Sequence, residues 1–154
     1  MLFRSLPPGT PFFGGLMHIQ ATSICLSGRA YLITGDSGIG KSALALALIN
    51  QGAMLIADDM TVIEGDKALA PKDHTGWLEV RGIGLVSGFS VCPQATVAAV
   101  IHLSEEKPER SPQKASVRVG DNNLPLFHLW AQDLHLSEKV FVIDGIISGQ
   151  LTLE

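Results

Sequence analysis

Gly35-Asp36-Ser37-Gly38-Ile39-Gly40-Lys41-Ser42 follows the pattern G-x-x-x-x-G-K-[ST], a spacing whose chemistry is the holding of nucleotide phosphates. Its three glycines let the backbone curl tightly, so that several N–H groups point into one concavity. Lys41 has the reach to meet β- and γ-phosphates, and the Ser42 hydroxyl is suited to ligate Mg²⁺. A loop that closes a strand and opens a helix also sets the phosphates at the positive end of that helix. Tyr31-Leu32-Ile33-Thr34 ahead of it reads as a buried strand, and Ser42 to Ile49 behind it as a helix. The chain is expected to bind a nucleotide.

A second chemical group follows directly. The helix is apolar nearly all round, which implies burial on several sides. Asn50-Gln51-Gly52 ends it, with Gly52 suited to the left-handed cap. Met54-Leu55-Ile56-Ala57 is then a second buried strand, delivering Asp58-Asp59. Strand, loop, helix, cap and strand form a βαβ unit with parallel strands. The crossover helix runs back down the sheet, so both carboxylates emerge on the phosphate loop's edge, where open α/β sheets bind ligands. Because side chains alternate along a strand, one aspartate can face a reacting hydroxyl while the other faces a metal or its waters. Transfer of a γ-phosphoryl group needs charge neutralisation and a positioned carboxylate of this kind. Glu79 alternates with Leu78 and Val80 and shares its face with Arg81; by themselves the two read as a surface ion pair.

The rest of the chain positions these groups. Its 154 residues suit one domain with a real core, and 46% hydrophobic residues suit an α/β protein with both sheet faces covered. Eleven basic residues against 15 acidic ones, with no cationic cluster, argue against nucleic acid as a main partner. No apolar run is long enough to cross a membrane. Cys25 and Cys92 read as reduced core residues, and the Pro-broken opening is too short for a signal peptide. A cytoplasmic setting is expected. Residues 1–16 read as an irregular arm and 17–154 as one domain. Ile19 to Leu26 reads as a strand, Thr61 to Ala70 as a hairpin turning at Gly65-Asp66, and Thr96 to Leu103 as an apolar strand. Ser104 to Ser116 reads as a mobile polar loop, Leu126 to Leu134 as either helix or strand, and Val140 to Ile143 as a strand. His74, His102, His128 and His135 lack metal-ligand spacing and read as structural or surface residues, while Trp77 and Trp130 read as core.

Three blocks in order, Gly35 to Ser42, Gly52 with Leu55-Ile56-Ala57-Asp58-Asp59, and Leu78-Glu79-Val80-Arg81-Gly82-Ile83-Gly84, resemble the catalytic domain of HPr kinase/phosphorylase. The resemblance covers roughly Ile19 to Leu126 and is closest to the short proteobacterial form that lacks an N-terminal regulatory domain. It implies a P-loop fold related to phosphoenolpyruvate carboxykinases: an α/β domain with a mixed sheet and flanking helices. The implied activity is ATP-dependent phosphorylation of a serine on HPr, a phosphocarrier of the phosphotransferase system, and removal of that phosphate. It also implies hexamers. By matching positions, Lys41 would hold the β/γ-phosphates, Ser42 and Glu79 would ligate Mg²⁺, and Arg81 would stand on the phosphate side. One of Asp58 and Asp59 would take the proton in the kinase direction and return it in the reverse.

Two positions depart from the family pattern. Gln20 falls where the family carries a catalytic histidine, with His18 one strand step away, and Asn122 falls where it carries an arginine, with Arg118 nearby. An asparagine cannot supply that arginine's charge to a transferring phosphoryl group. Reversal needs a second anion held nearby, so the phosphorylase direction is the one most exposed to these changes. A small-molecule kinase on the same scaffold and a nucleotide-binding regulatory module are the competing expectations.

Overall fold

The structure, a computed structural model, describes residues 12–13 and 16–154. Its elements are β1 (Phe12–Phe13), β2 (Leu16–Ile19), β3 (Thr22–Leu26), β4 (Arg29–Thr34), α1 (Lys41–Ile49), β5 (Met54–Ala57), β6 (Thr61–Glu64) and β7 (Lys67–Leu69). There follow β8 (Trp77–Val80), β9 (Gly84–Ser87), β10 (Gln94–Ser104), β11 (Ala115–Val119), β12 (Asn122–Trp130) and α2 (Leu136–Ser148). β1 pairs with β2, so residues 12, 13 and 16 lie in a hairpin; the remainder of the expected irregular arm falls outside the described residues. No helix among the described residues is long and apolar enough to cross a membrane.

Ten of the described strands form one mixed sheet in the order β1-β2-β6-β7-β10-β4-β3-β5, with β12 also on β10 and β11 on β12. β8 and β9 form a separate hairpin. The βαβ expectation holds in direction but not in adjacency. β4 and β5 run parallel, yet β3 lies between them and is antiparallel to both. Local pattern carries no information on strand order, and the hairpin turn at Ser27-Gly28 inserts β3 there. The expected Ile19–Leu26 strand is likewise two strands: β2 pairs with β6 and β3 with β4 and β5, with a bend at Gln20.

One face of the sheet buries Tyr31, Ile33, Ile101 and Leu103 against Leu44 and Leu48 of α1 and Val140 and Ile143 of α2. On the other face Leu32, Val100 and Leu126 pack with Ile19, Ile56, Ile63 and Val117, because the sheet curls over itself. The curl brings the starts of β3 and β6 together: Ser23 and Thr61 hydroxyls lie 2.8 Å apart, and Thr61 Oγ1 donates to the Ala21 carbonyl at 2.8 Å.

Val140 to Ile143 is helical, not a strand. Val-Phe-Val-Ile suits either conformation as a short run, but Leu136, Val140, Ile143 and Ile147 recur at helical spacing and all face the core. Gly149, at φ 83°, closes the helix in the left-handed conformation. Leu126 to Trp130 is strand.

α2 is pinned by a buried polar contact. Tyr31 Oη donates to Asp144 Oδ1 at 2.5 Å, and Arg29 Nη1 reaches the same oxygen at 3.3 Å. Burial and this bond push the Tyr31 phenol well above its ordinary range. Asp144→Ala leaves a buried hydroxyl unpaired and is expected to cost about 1–3 kcal/mol. Urea unfolding checks this, with Tyr31→Phe losing less; an unchanged midpoint in Asp144→Ala would contradict the pin.

Candidate active site

β4 delivers the loop and α1 leaves it. Gly35, at φ 144°, has no room for a side chain, because a Cβ there would lie 2.7 Å from the Leu103 carbonyl of neighbouring β10. Gly40, at φ 118°, stands at the N-cap of α1, the conformation that only glycine adopts without strain. Ile39 N–H donates to the Asp36 carbonyl at 3.1 Å and tightens the turn. Lys41 is buried, and its Nζ donates to the carbonyls of Gly35 at 2.8 Å and Asp36 at 2.9 Å. The ammonium therefore stands at the loop it is expected to serve, with Ser37 and Gly38 on the exposed outer turn.

Asp58 gathers the surrounding elements. Its Oδ1 accepts from Ser42 Oγ on α1 at 2.6 Å and from Thr22 Oγ1 on β3 at 3.0 Å. Its Oδ2 accepts from the Glu79 amide on β8 at 2.9 Å. Three donors from three elements thus fix the position of this carboxylate. Asp59 is built differently. It sits at φ 67°, and Met60 N–H reaches back to the Asp58 carbonyl at 2.7 Å, giving a tight reversal around it. This geometry is strained for a non-glycine residue. Its backbone is held by the Asp59 amide donating to Thr22 Oγ1 at 3.2 Å, while the side chain is exposed.

The β8–β9 hairpin buries Leu78 and turns Glu79 outward, beside its cross-strand partner Leu85. Arg81 reaches back over the phosphate loop, its Nη2 being 3.4 Å from where a Cβ on Gly38 would stand. Asp58, Asp59 and Glu79 share a cavity of about 560 Å³ with Asp73, His74, Trp77 and Leu85. Trp77 is 41% exposed and walls this cavity, so it is not the core residue expected. A larger cleft of about 950 Å³, between α2, β12 and the loop at Arg110–Lys114, holds none of these groups. The carboxylates singled out by the sequence gather in the smaller of the two.

The structure thus brings together every expected site residue: the loop from Gly35 to Ser42, Asp58, Asp59, Glu79 and Arg81. Ser42 is tied to Asp58 rather than to Glu79, and Glu79 joins the cluster through its backbone. Thr22 was not anticipated, because a threonine at a strand start carries no sequence signal of its own. Gln20 stands exposed at the bend before Thr22, on the loop's edge. Asn122 does not. By strand register it lies level with Arg29 at the start of β4, six residues short of Gly35, or about 20 Å of strand. There its amide bonds the carbonyls of Gly65 at 2.8 Å and Val119 at 3.1 Å, so it holds two turns together. Arg118 is equally remote and bonds the Gly120 carbonyl.

Ser42 hydroxyl with Asp58, Asp59 and Glu79 is a set of hard oxygen donors, which fits Mg²⁺ and not a softer metal. Among the described residues no cage of three or more His, Cys, Asp or Glu side chains is present. Mg²⁺ at a phosphate site needs only one or two protein ligands beside the phosphates and water.

Behind the loop, Thr34, His102 and His128 occupy one register row across β4, β10 and β12. Thr34 Oγ1 and His102 Nδ1 are 2.9 Å apart, and the two imidazoles meet edge to face at 5.4 Å. Burial lowers both histidines from the ordinary imidazole value, and for His102 the neighbouring His128 adds to this. With folded values depressed, stability is full above the unfolded value of about 6.5 and falls as pH drops below it. Thermal unfolding between about pH 7.5 and 5.5 is expected to show that fall, and His102→Asn to reduce it. Asp58→Asn is expected to weaken Mg²⁺-dependent nucleotide binding about tenfold or more, a loss of about 1.4 kcal/mol. Calorimetric titration measures it; equal affinity in the variant would contradict this organising role of Asp58.

Residues 13–123 match the family model described as HPr Serine kinase C-terminal domain. The chain is 38% identical over 126 residues to HPr kinase/phosphorylase of Clostridium novyi, covering 75% of this chain and 39% of that protein. It is 33% identical over 110 residues to HPr kinase/phosphorylase of Mycoplasmopsis pulmonis, covering 65% and 36%. The chain spans under half the length of these curated relatives. Among solved structures it resembles the Hpr(Ser) kinase/phosphatase from Coxiella burnetii at a TM-score of 0.73 and 26% identity, over 87% of this chain and 99% of the other.

Proposed function

The chain belongs to the HPr serine kinase C-terminal domain family, and from that premise we propose that it is an ATP-dependent serine kinase acting on an HPr-like phosphocarrier. The observation that carries the reading is the division between two adjacent carboxylates. Both line the cavity, but Asp58 already accepts from Ser42, Thr22 and the Glu79 amide, whereas the Asp59 side chain is exposed. Asp58 then organises the metal side, and Asp59 takes the proton from the acceptor hydroxyl.

Each remaining group has a place in that scheme. The loop amides and Lys41 would hold the ATP phosphates, and Ser42 and Glu79 would hold Mg²⁺, which neutralises phosphate charge when bound. Arg81, lying against Gly38, would stabilise charge on the nucleotide side. As the seryl oxygen bonds to the γ-phosphorus and the bond to ADP breaks, its proton passes to Asp59. In reverse, inorganic phosphate takes the phosphoryl group to give pyrophosphate and Asp59 returns the proton. Exposed Trp77, Ile83 and Leu85 on the same hairpin favour a protein acceptor over a small hydroxyl compound, because such apolar exposure marks contact surfaces. The reading extends to residues 17–154 as one catalytic domain related to phosphoenolpyruvate carboxykinases, acting in the cytoplasm as a homo-oligomer, a hexamer by family likeness.

Incubation with γ-labelled ATP, Mg²⁺ and an HPr-like carrier is expected to place label on a carrier serine. Asp59→Ala should slow this by about 10²–10⁴ while ATP still binds. Wild-type protein that binds ATP but labels no carrier, or an Asp59→Ala variant that labels at full rate, would overturn the proposal.

A further inference from the structure

The positive groups of the site are unequally divided. Lys41 stands on the Gly35 and Asp36 carbonyls and Arg81 against Gly38, so both belong to the nucleotide side. The cavity beyond Asp58 is lined by Asp59, Asp73 and Glu79, and His74 is the one described lining residue able to carry positive charge. The loop that presents it is closed by a turn and packed at its far end. His74 N–H donates to the Pro71 carbonyl at 3.2 Å, and Gly76, at φ 81°, packs close enough to Val91 that a Cβ would stand 3.3 Å from its methyl. Asp73, at φ 67°, turns the chain immediately before His74.

A phosphorylated serine would bring nearly two negative charges into this cavity. Desolvating that anion among carboxylates is costly unless a donor with positive charge meets it. Asp58 is committed to its three donors and Glu79 to the metal side, which leaves Asp59, Asp73 and His74 around the acceptor. Imidazole is the side chain able to gain that charge near neutral pH.

We propose that His74 is the acceptor-side anion contact: its imidazolium meets the phosphoryl group borne by the phosphorylated serine and so favours the reverse direction. This rests on the phosphotransfer reading of the site. In that direction the bond from phosphorus to the seryl oxygen breaks, an oxygen of inorganic phosphate bonds to the phosphorus, and Asp59 supplies the proton to the seryl oxygen. The charged groups around His74 are Asp58, Asp59, Asp73 and Glu79, with Lys72 two positions before it in the chain.

The test is the apparent KM for a phosphoserine carrier in the phosphate-dependent reverse reaction, set against the forward rate. In wild type KM should rise from about pH 6 to about pH 8 as the imidazolium is lost. His74→Gln should raise KM about tenfold at the acid end and flatten the profile, lowering the reverse-to-forward ratio. His74→Lys should keep KM low across the range, which a merely structural role would not produce. A Gln variant with the wild-type KM profile would overturn the proposal. The His74 ring is also followed by NMR in full-length protein with Mg²⁺ and ADP, its signal assigned by loss in His74→Gln. O-phosphoserine should raise its titration midpoint and serine should not, because an anion favours the charged form. An unmoved midpoint would overturn the proposal even if the wild type transfers phosphate in neither direction, a result that would separately remove the proposed function.

Discussion

The contact between Ser42 Oγ and Asp58 Oδ1, at 2.6 Å, is the interaction around which the site is assembled. It closes the βαβ unit, since the hydroxyl opens the helix after the phosphate loop and the carboxylate ends the next strand. The same carboxylate takes Thr22 from β3 and the Glu79 amide from β8. Four elements therefore meet at one side chain. The phosphate loop, β3 and β8 are thereby held in register with the end of β5.

The curl of the sheet explains why two adjacent aspartates stand in different surroundings. β5 and β6 stand far apart in strand order, yet the chain crosses between them in Asp58, Asp59 and Met60. Only a sheet folded over itself permits so short a link, and the Ser23–Thr61 and Thr61–Ala21 contacts hold it there. At that reversal Asp59 takes positive φ and its side chain is exposed, while the Asp58 carboxylate is held by Ser42 and Thr22. Strand alternation alone would separate the two side chains; the strained corner also exposes one of them.

The phosphate loop, the direction of β5, the Gly52 cap, the Thr61–Ala70 hairpin and the outward Glu79 were legible because each depends on residues close together in sequence. Gly52 N–H and Ala53 N–H indeed close α1 onto the Ile49 and Leu48 carbonyls. What was not legible depends on distant pairing. The insertion of β3 beside β4, the helicity of Val140 to Ile143, fixed by packing and by Asp144 under Tyr31, and the site role of Thr22 all arise from tertiary context. Asn122 shows the same limit in reverse: sequence alignment suggested a site position, and register sets it at the opposite edge.

If the phosphate loop and the end of β5 act as one unit through Ser42 and Asp58, the two side chains are energetically coupled. A double-mutant cycle measures this, with Mg²⁺–nucleotide affinity determined for wild type, Ser42→Ala, Asp58→Asn and the pair. Coupled residues are expected to show an interaction energy of about 0.5–3 kcal/mol, the double variant losing clearly less than the sum of the single losses. Losses that simply add would contradict the claim and return Ser42 and Asp58 to independent roles.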